Sequence, residues 1–262
     1  MGVRSALATV RFLASAVVAE AREERISLVA AGLAYYLLLF FVPLGLLVLI
    51  ALETTGNLSA AAHWLDALSE TTIRVGPLHR ITGGEDARLR AAVIAVVLVL
   101  WSGGRAFSSM NTVFTDVSGV SADDGLFAEL VEVVVVLVTT AGTFCLYAAL
   151  IAVFARSATD AVWYVGVPLA LFVGFFSVFL PVYYVFPPTN VDVVDALPGA
   201  LLAAVVWTVS GLGFRLYAEA SESIDLYGVV GVALLLMTWF YVGGLALLAG
   251  AVLNGVLERE FA

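Results

Sequence analysis

The sequence predicts an all-α, polytopic integral membrane protein, and three observations carry that prediction. Hydrophobic residues make up 62% of the 262 residues and charged ones only 13%, where soluble domains carry about 45–50% and about 25%. Mean hydropathy is +1.06. Six apolar runs are each long enough to cross a hydrocarbon core about 30 Å thick, which takes roughly 20 helical residues. A soluble fold this apolar would have no way to cover its core.

The six expected transmembrane helices run from Ile26 to about Leu52, Ala91 to about Phe114, Glu129 to Phe154, Ala161 to Phe186, Ala196 to Leu216 and Leu226 to Leu257. Short turn-rich pieces join most of them: "SGVSADDG", "ARSATD", "PPTNVDVVD" and "EASESID". The long connection, 53–90, is expected to be an extracytoplasmic loop. In it "LSAAAHWLDALSETTI" has helical spacing and "VGPLHRITGGEDARLR" reads as exposed chain. The transmembrane domain is thus 26–258, preceded by residues 1–25.

Residues 1–25 predict an amphipathic helix lying in the membrane interface. Val3, Leu7, Val10, Ala14, Val17 and Ala21 share one face, and Arg4, Arg11, Ser15 and Arg22 share another. "FLASAVVAEA" ends in the small residues of a signal-peptide cleavage site, but Arg11 interrupts the apolar stretch such a signal needs. Arg4, Arg11, Arg22 and Arg25 before the first span favour a cytoplasmic N-terminus. Arg74, Arg80, Arg88 and Arg90 in the first loop weaken that preference.

All twelve basic residues are arginine, and twenty-one acidic residues give a formal net charge of −9. That balance argues against a nucleic-acid partner, which asks for a clustered basic face. Salt adaptation, as in a halophile, and a GC-rich genome both account for arginine in place of lysine. Cys145 is the single cysteine, so no disulfide framework or cysteine zinc site exists. His63 and His79 stand sixteen residues apart without ligand partners at metal spacing. No phosphate-binding G-x-x-x-x-G-K-[ST], H-E-x-x-H or G-x-S-x-G occurs. No cofactor or metal is implied, and the protein is expected not to be an enzyme.

The candidate site is intramembrane and polar. Ser102, Arg105, Ser109, Thr112 and Asp116 fall on one arc of the second span, with Phe107, Asn111 and Phe114 opposite. On the third span Glu132, Thr139, Thr143 and Tyr147 share a face. A buried ion costs about 2.5–3.5 kcal/mol on insertion scales. Three readings therefore stand side by side. Arg105 snorkels to the headgroups, or it forms a structural pair with Glu132 or Asp116, or the seam handles a substrate or ion. Gly199, Ala203 and Ser210 line one face of the fifth span, and Gly243, Ala246, Gly250 and Asn254 one face of the sixth, as close helix packing requires. Pro43, Pro168 and Pro181 predict kinks.

Four pieces in order, "AAGLAYYLLLFFVPLGLLV", "LWSGGRAFSSMNTVF", "PVYYVFPPTNVDVVDALPGALLAAVVW" and "DLYGVVGVALLLMTWFYVGGLALLAGAVLN", resemble the YihY/BrkB family of inner-membrane proteins, once named ribonuclease BN. The resemblance runs from about Arg25 to Glu258. It implies six transmembrane helices in the cell membrane with both termini cytoplasmic, and the composition suggests a haloarchaeal member. Positions matching the family pattern are Ala34, Tyr35, Pro43, Arg105, Asn111, Pro187, Pro198, Gly199, Tyr227, Gly228, Gly250 and Asn254. One departure is at Gly250-Ala251-Val252-Leu253-Asn254, where the family often reads G-A-E-L-N and so carries a carboxylate.

The function this resemblance implies is transport or lipid handling in the cell envelope, an analogy of fold rather than of site. The expected partners are the bilayer and an anionic or amphiphilic solute or lipid; a homo-oligomer is compatible with the sequence. Arg105 would bind the anionic group in a cavity between the second, third and sixth spans, with Glu132 or Asp116 as counter-charge. Asn111 and Asn254 would hold helices together. A non-transporting scaffold is the alternative, and a ribonuclease ranks last.

Overall fold

The computed structural model describes residues 12, 15–56, 84–118, 165–187, 191–220 and 223–261. The described chain contains five helices long and apolar enough to cross a membrane. They are α1 (Ile26–Thr54), α2 (Glu85–Ser118), α3 (Val167–Val185), α4 (Val193–Ala220) and α5 (Ser223–Phe261). The expected span Glu129–Phe154, most of the first loop and residues 1–11 lie outside the described residues. So do Cys145, His63 and His79.

Several helices overrun the apolar runs that announce them. α2 has 34 residues, about 51 Å at 1.5 Å per residue, against a hydrocarbon core of about 30 Å. Its first turn carries Glu85 and Asp86, which suit the positive end of the helix dipole. Pro43, Pro181 and Pro198 sit inside α1, α3 and α4. Pro168 follows the π-helical turn of Val165 and Gly166, and the part of its expected span before residue 165 lies outside the described residues. Pro168 stands in the first turn of α3 as that helix is bounded.

The chain divides into two compact units, Tyr35–Ala106 and the remainder. In the first, the later part of α1 pairs antiparallel with the earlier part of α2. Tyr36 meets Arg105, Phe40 lies against Gly103, and Glu53 pairs with Arg88 at 3.5 Å. Val42, Val48, Val93, Ile94, Val97 and Leu100 point outward and exposed, the composition of a surface solvated by lipid.

In the second unit α3 packs on α4 and α4 on α5. Close approach is possible because glycines face each other. A methyl on Gly199 would stand 2.6 Å from the Gly250 carbonyl oxygen, and Gly250 lies beneath the Tyr183 hydroxyl. Trp207 lies over Gly243 and donates its indole N–H to the Gly243 carbonyl at 2.9 Å. A second apolar cluster joins Ile26 and Ala30 of α1, Val113 and Val117 of α2, and Leu248, Val252 and Val256 of α5.

Before α1, residues 15–23 are helical and Glu24 and Arg25 form a turn. Arg25 has φ 50°, a left-handed conformation that costs a residue with a Cβ about 1–2 kcal/mol. Ala16, Val17 and Ala21 rest on the cluster of α1, α2 and α5. Of the expected apolar face, Val17 and Ala21 are thus packed in part against protein, and its other members lie outside the described residues. An ion pair at 2.8 Å joins Glu20 to Arg259 of α5.

Candidate functional site

The polar residues of α2 fall in both units, and each unit treats them by its own rule. In Tyr35–Ala106, Arg105 is exposed and rests on an aromatic shelf. Its Nε donates to the Tyr36 hydroxyl at 3.3 Å, and its guanidinium carbon lies 5.6 Å from the Tyr36 ring centroid. The Tyr36 ring meets Tyr35 edge-on at 5.4 Å and Trp101 at 5.8 Å. A cation on a tyrosine face gains about 0.5–1 kcal/mol when exposed. That orients a planar, permanently charged fork suited to carboxylate or phosphate. Ser102 belongs to no such site: it is buried, and its hydroxyl donates to the Leu98 carbonyl of its own helix at 2.6 Å.

In the second unit the aromatic side of α2 faces inward. Phe107 stacks near Phe186 at 4.7 Å, and Phe114 meets Tyr183 and Phe186, each at 5.6 Å. Burying large rings against α3 outweighs burying hydroxyls, so Thr112 and Asp116 are left exposed. Thr112 donates to the Ser108 carbonyl of its own helix at 2.9 Å. Ser109 and Asn111 are half-buried. Asp116 comes close enough to Glu24 to help raise that carboxyl above its ordinary value of 4.5, after the larger effect of burial. Pairing between Asp116 and Arg105 within α2 does not fit helical geometry. Eleven residues of rise amount to about 16 Å along the axis, beyond the combined reach of the two side chains. Glu132, Thr139 and Thr143, the expected partner face, lie outside the described residues.

A second constellation is built where α3, α4 and α5 converge. Asn254 of α5 accepts the backbone N–H of Gly199 at 2.7 Å and donates to the Ala196 carbonyl at 3.4 Å. Tyr183, fully buried, donates its hydroxyl to the Leu247 carbonyl at 2.6 Å. Beside them Val117, Pro187, Asp195 and Glu258 help to line a cleft of about 30 Å³. A water needs at least about 10–15 Å³ by that measure, so the cleft has room for a water. Among the described residues no three His, Cys, Asp or Glu side chains come together as a metal ligand set.

Residues 17–262 match the family model described as Virulence factor BrkB. The chain belongs to the BrkB family. Relatives of this BrkB-family chain include a UPF0761 membrane protein of Pseudoalteromonas translucida (strain TAC 125), 34% identical over 31% of this chain and 28% of the relative. A UPF0761 membrane protein of Vibrio vulnificus (strain YJ016) is 35% identical over 32% of this chain and 28% of its own. The ribonuclease-like protein YfkH of Bacillus subtilis (strain 168) is 28% identical over 36% and 33%. The chain thus aligns with about a third of the length of these curated relatives. No solved structure matches it.

Of the positions expected to match the family pattern, several fall in one of the two constellations. Tyr35 and Arg105 belong to the aromatic shelf. Pro187, Gly199, Gly250 and Asn254 belong to the three-helix junction, and Pro198 lies within the first turns of α4 beside it. Pro43 is buried inside α1, while Tyr227 and Gly228 fall in the first turns of α5. Sequence reasoning did not single out Tyr36, Tyr183, Trp207 or the Glu20–Arg259 pair. For the aromatics a signal existed: a Tyr or Trp inside an apolar run must find a partner for its O–H or N–H.

Proposed function

We propose that this BrkB-family protein moves or handles an anionic amphiphile in the cell membrane, with Arg105 as the group that receives its headgroup. The observation that carries this reading is the Arg105–Tyr36 arrangement: an exposed guanidinium within a membrane-crossing helix, oriented by an aromatic shelf. A fixed positive fork there attracts phosphate or carboxylate and repels cations. Both termini are assigned to the cytoplasm, on the support of the arginines ahead of α1 and the bond between Glu20 and Arg259. Residues 1–25 are assigned to the interface. A lysine-free surface of net charge −9 favours a salt-adapted source. A ribonuclease is the least favoured reading, since 21 acidic against 12 basic residues disfavour RNA as a substrate.

The test is lipid movement in proteoliposomes containing fluorescent phosphatidylglycerol, scored by the fraction that dithionite can bleach. Wild-type protein should raise that fraction above protein-free vesicles, and Arg105→Ala should return it to the baseline. A normal rate in Arg105→Ala would remove Arg105 from the mechanism.

A scaffold is the second reading, favoured by a specific observation. Ser102 and Thr112 direct their hydroxyls to their own helix. Normal assembly of envelope partners by a variant with no lipid movement would support it.

A further inference from the structure

The N-terminal segment meets the bundle in a way that neither reading of function uses. Its apolar residues Val17 and Ala21 sit on the cluster formed by α1, α2 and α5. Its Glu20 holds Arg259 at 2.8 Å. The same Arg259 donates through Nε to the Gly255 carbonyl at 3.1 Å, and Gly255 lines the water-sized cleft beside Asn254 and Glu258. The link from this segment to α1 passes through Arg25, whose φ of 50° is the left-handed turn that glycine usually supplies. A sharp elbow, a small apolar seat and one exposed ion pair make a contact able to open without unfolding the helices.

We propose that residues 15–25 form a latch, held across the ends of α2 and α5 by the Glu20–Arg259 pair and hinged at Arg25. The latch responds to acidity through Glu24. Facing that carboxylate are Asp116 from α2, Glu20 and Glu23 from its own segment, and Arg259 from α5. Burial comes first, then the three carboxylates, in raising its proton affinity, and Arg259 opposes them. A group that binds its proton more tightly in the latched state favours latching at low pH. The contribution is complete below the ordinary value of 4.5 and is lost as pH rises through the raised value.

The test uses the full chain in lipid nanodiscs, in a Cys145→Ala background, with spin labels at the exposed positions Val18→Cys and Glu260→Cys. Glu20→Arg should lower the ratio of short to long inter-label distances about two- to fivefold, the range expected for one exposed ion pair. Glu20→Arg with Arg259→Glu should restore it. The ratio should rise from pH 8 to pH 5 in the parent and stay high at both in Glu24→Gln. An unchanged ratio in Glu20→Arg, or failure of the charge swap to restore it, overturns the latch. A flat pH response in the parent overturns its sensing by Glu24. Both readouts are independent of lipid movement, so the latch can fail while the proposed function holds, and the reverse.

Discussion

Asn254 of α5 accepts the backbone N–H of Gly199, 55 positions earlier in the chain, at 2.7 Å. Gly199 follows Pro198, whose ring lacks an N–H and crowds the carbonyl four residues back. The first turns of α4 therefore have backbone groups in need of partners, and a side chain from the neighbouring helix supplies one. Within hydrocarbon no water can take its place. Asn254→Leu should cost about 1–3 kcal/mol by leaving a donor unsatisfied. Tyr183→Phe should cost less, about 0.5–1.5 kcal/mol, because it removes a donor and leaves its carbonyl acceptor on helical bonding. Unfolding of the purified protein in detergent, followed by tryptophan fluorescence, ranks the two; the reverse order would deny Asn254 this role.

The junction also has no room. A methyl on Gly250 would press on the Tyr183 hydroxyl and stand 2.8 Å from the Gly199 carbonyl oxygen. Backbone cannot move aside as a flexible side chain would. Gly250→Ala should therefore destabilise by about 1–3 kcal/mol through overpacking. Gly45→Ala is the internal comparison: nothing lies within 4 Å of a methyl there, and in a helix interior it should be neutral or stabilise by up to about 1 kcal/mol. Equal thermal midpoints for the two variants would contradict the close packing of α4 on α5.

Which parts of this were legible in sequence follows from the range of the forces. Lipid-facing helices announce themselves through runs of Val, Leu and Ala, since every residue of a span contributes to the signal. Helix ends are less visible, and α2 extends to Glu85, beyond the apolar run starting at Ala91, because backbone hydrogen bonding continues into polar sequence. The glycine stripes of the fifth and sixth spans point to close packing, but not to Tyr183 as the ring above Gly250. The polar arc on α2 was readable by spacing alone. That Arg105 meets Tyr36 depends on a contact 69 positions away, which no local period encodes. Glu20 and Arg259, 239 positions apart, are further still from any local pattern.

The aromatic shelf separates charge from orientation. Tyr36→Phe keeps the ring beneath Arg105 and removes the hydroxyl that accepts its Nε–H. Arg105→Lys keeps the charge and removes the planar fork. If an anionic headgroup is received there, Tyr36→Phe should weaken binding of a soluble phosphatidylglycerol analogue about two- to tenfold, in line with one hydrogen bond of about 0.5–1.5 kcal/mol. Arg105→Lys should weaken it further, and Arg105→Ala most. Calorimetric titration in detergent measures all three, and equal affinities across the series would dissociate the shelf from anion binding.

The directions of α2 and α3 bear on the expected span between them. Val117, at the end of α2, packs beside Ile26 and Val256. Tyr183, near the end of α3, bonds Leu247, and Pro187 just beyond it lines the cleft with Val117 and Gly255. Both helices therefore finish on the same side of the bundle. Two membrane-crossing helices that run the same way predict an odd number of crossings by the chain between them. The run Glu129–Phe154 has the length and apolarity for one such crossing, and Cys145 falls within it, nine residues before its end. In sealed vesicles a membrane-impermeant maleimide should leave Cys145 unmodified from either side. Cysteines placed at Ser121 and Thr159 should react from opposite sides. Rapid labelling of Cys145 by the impermeant reagent, or reaction of both engineered cysteines from one side, would remove the sixth span.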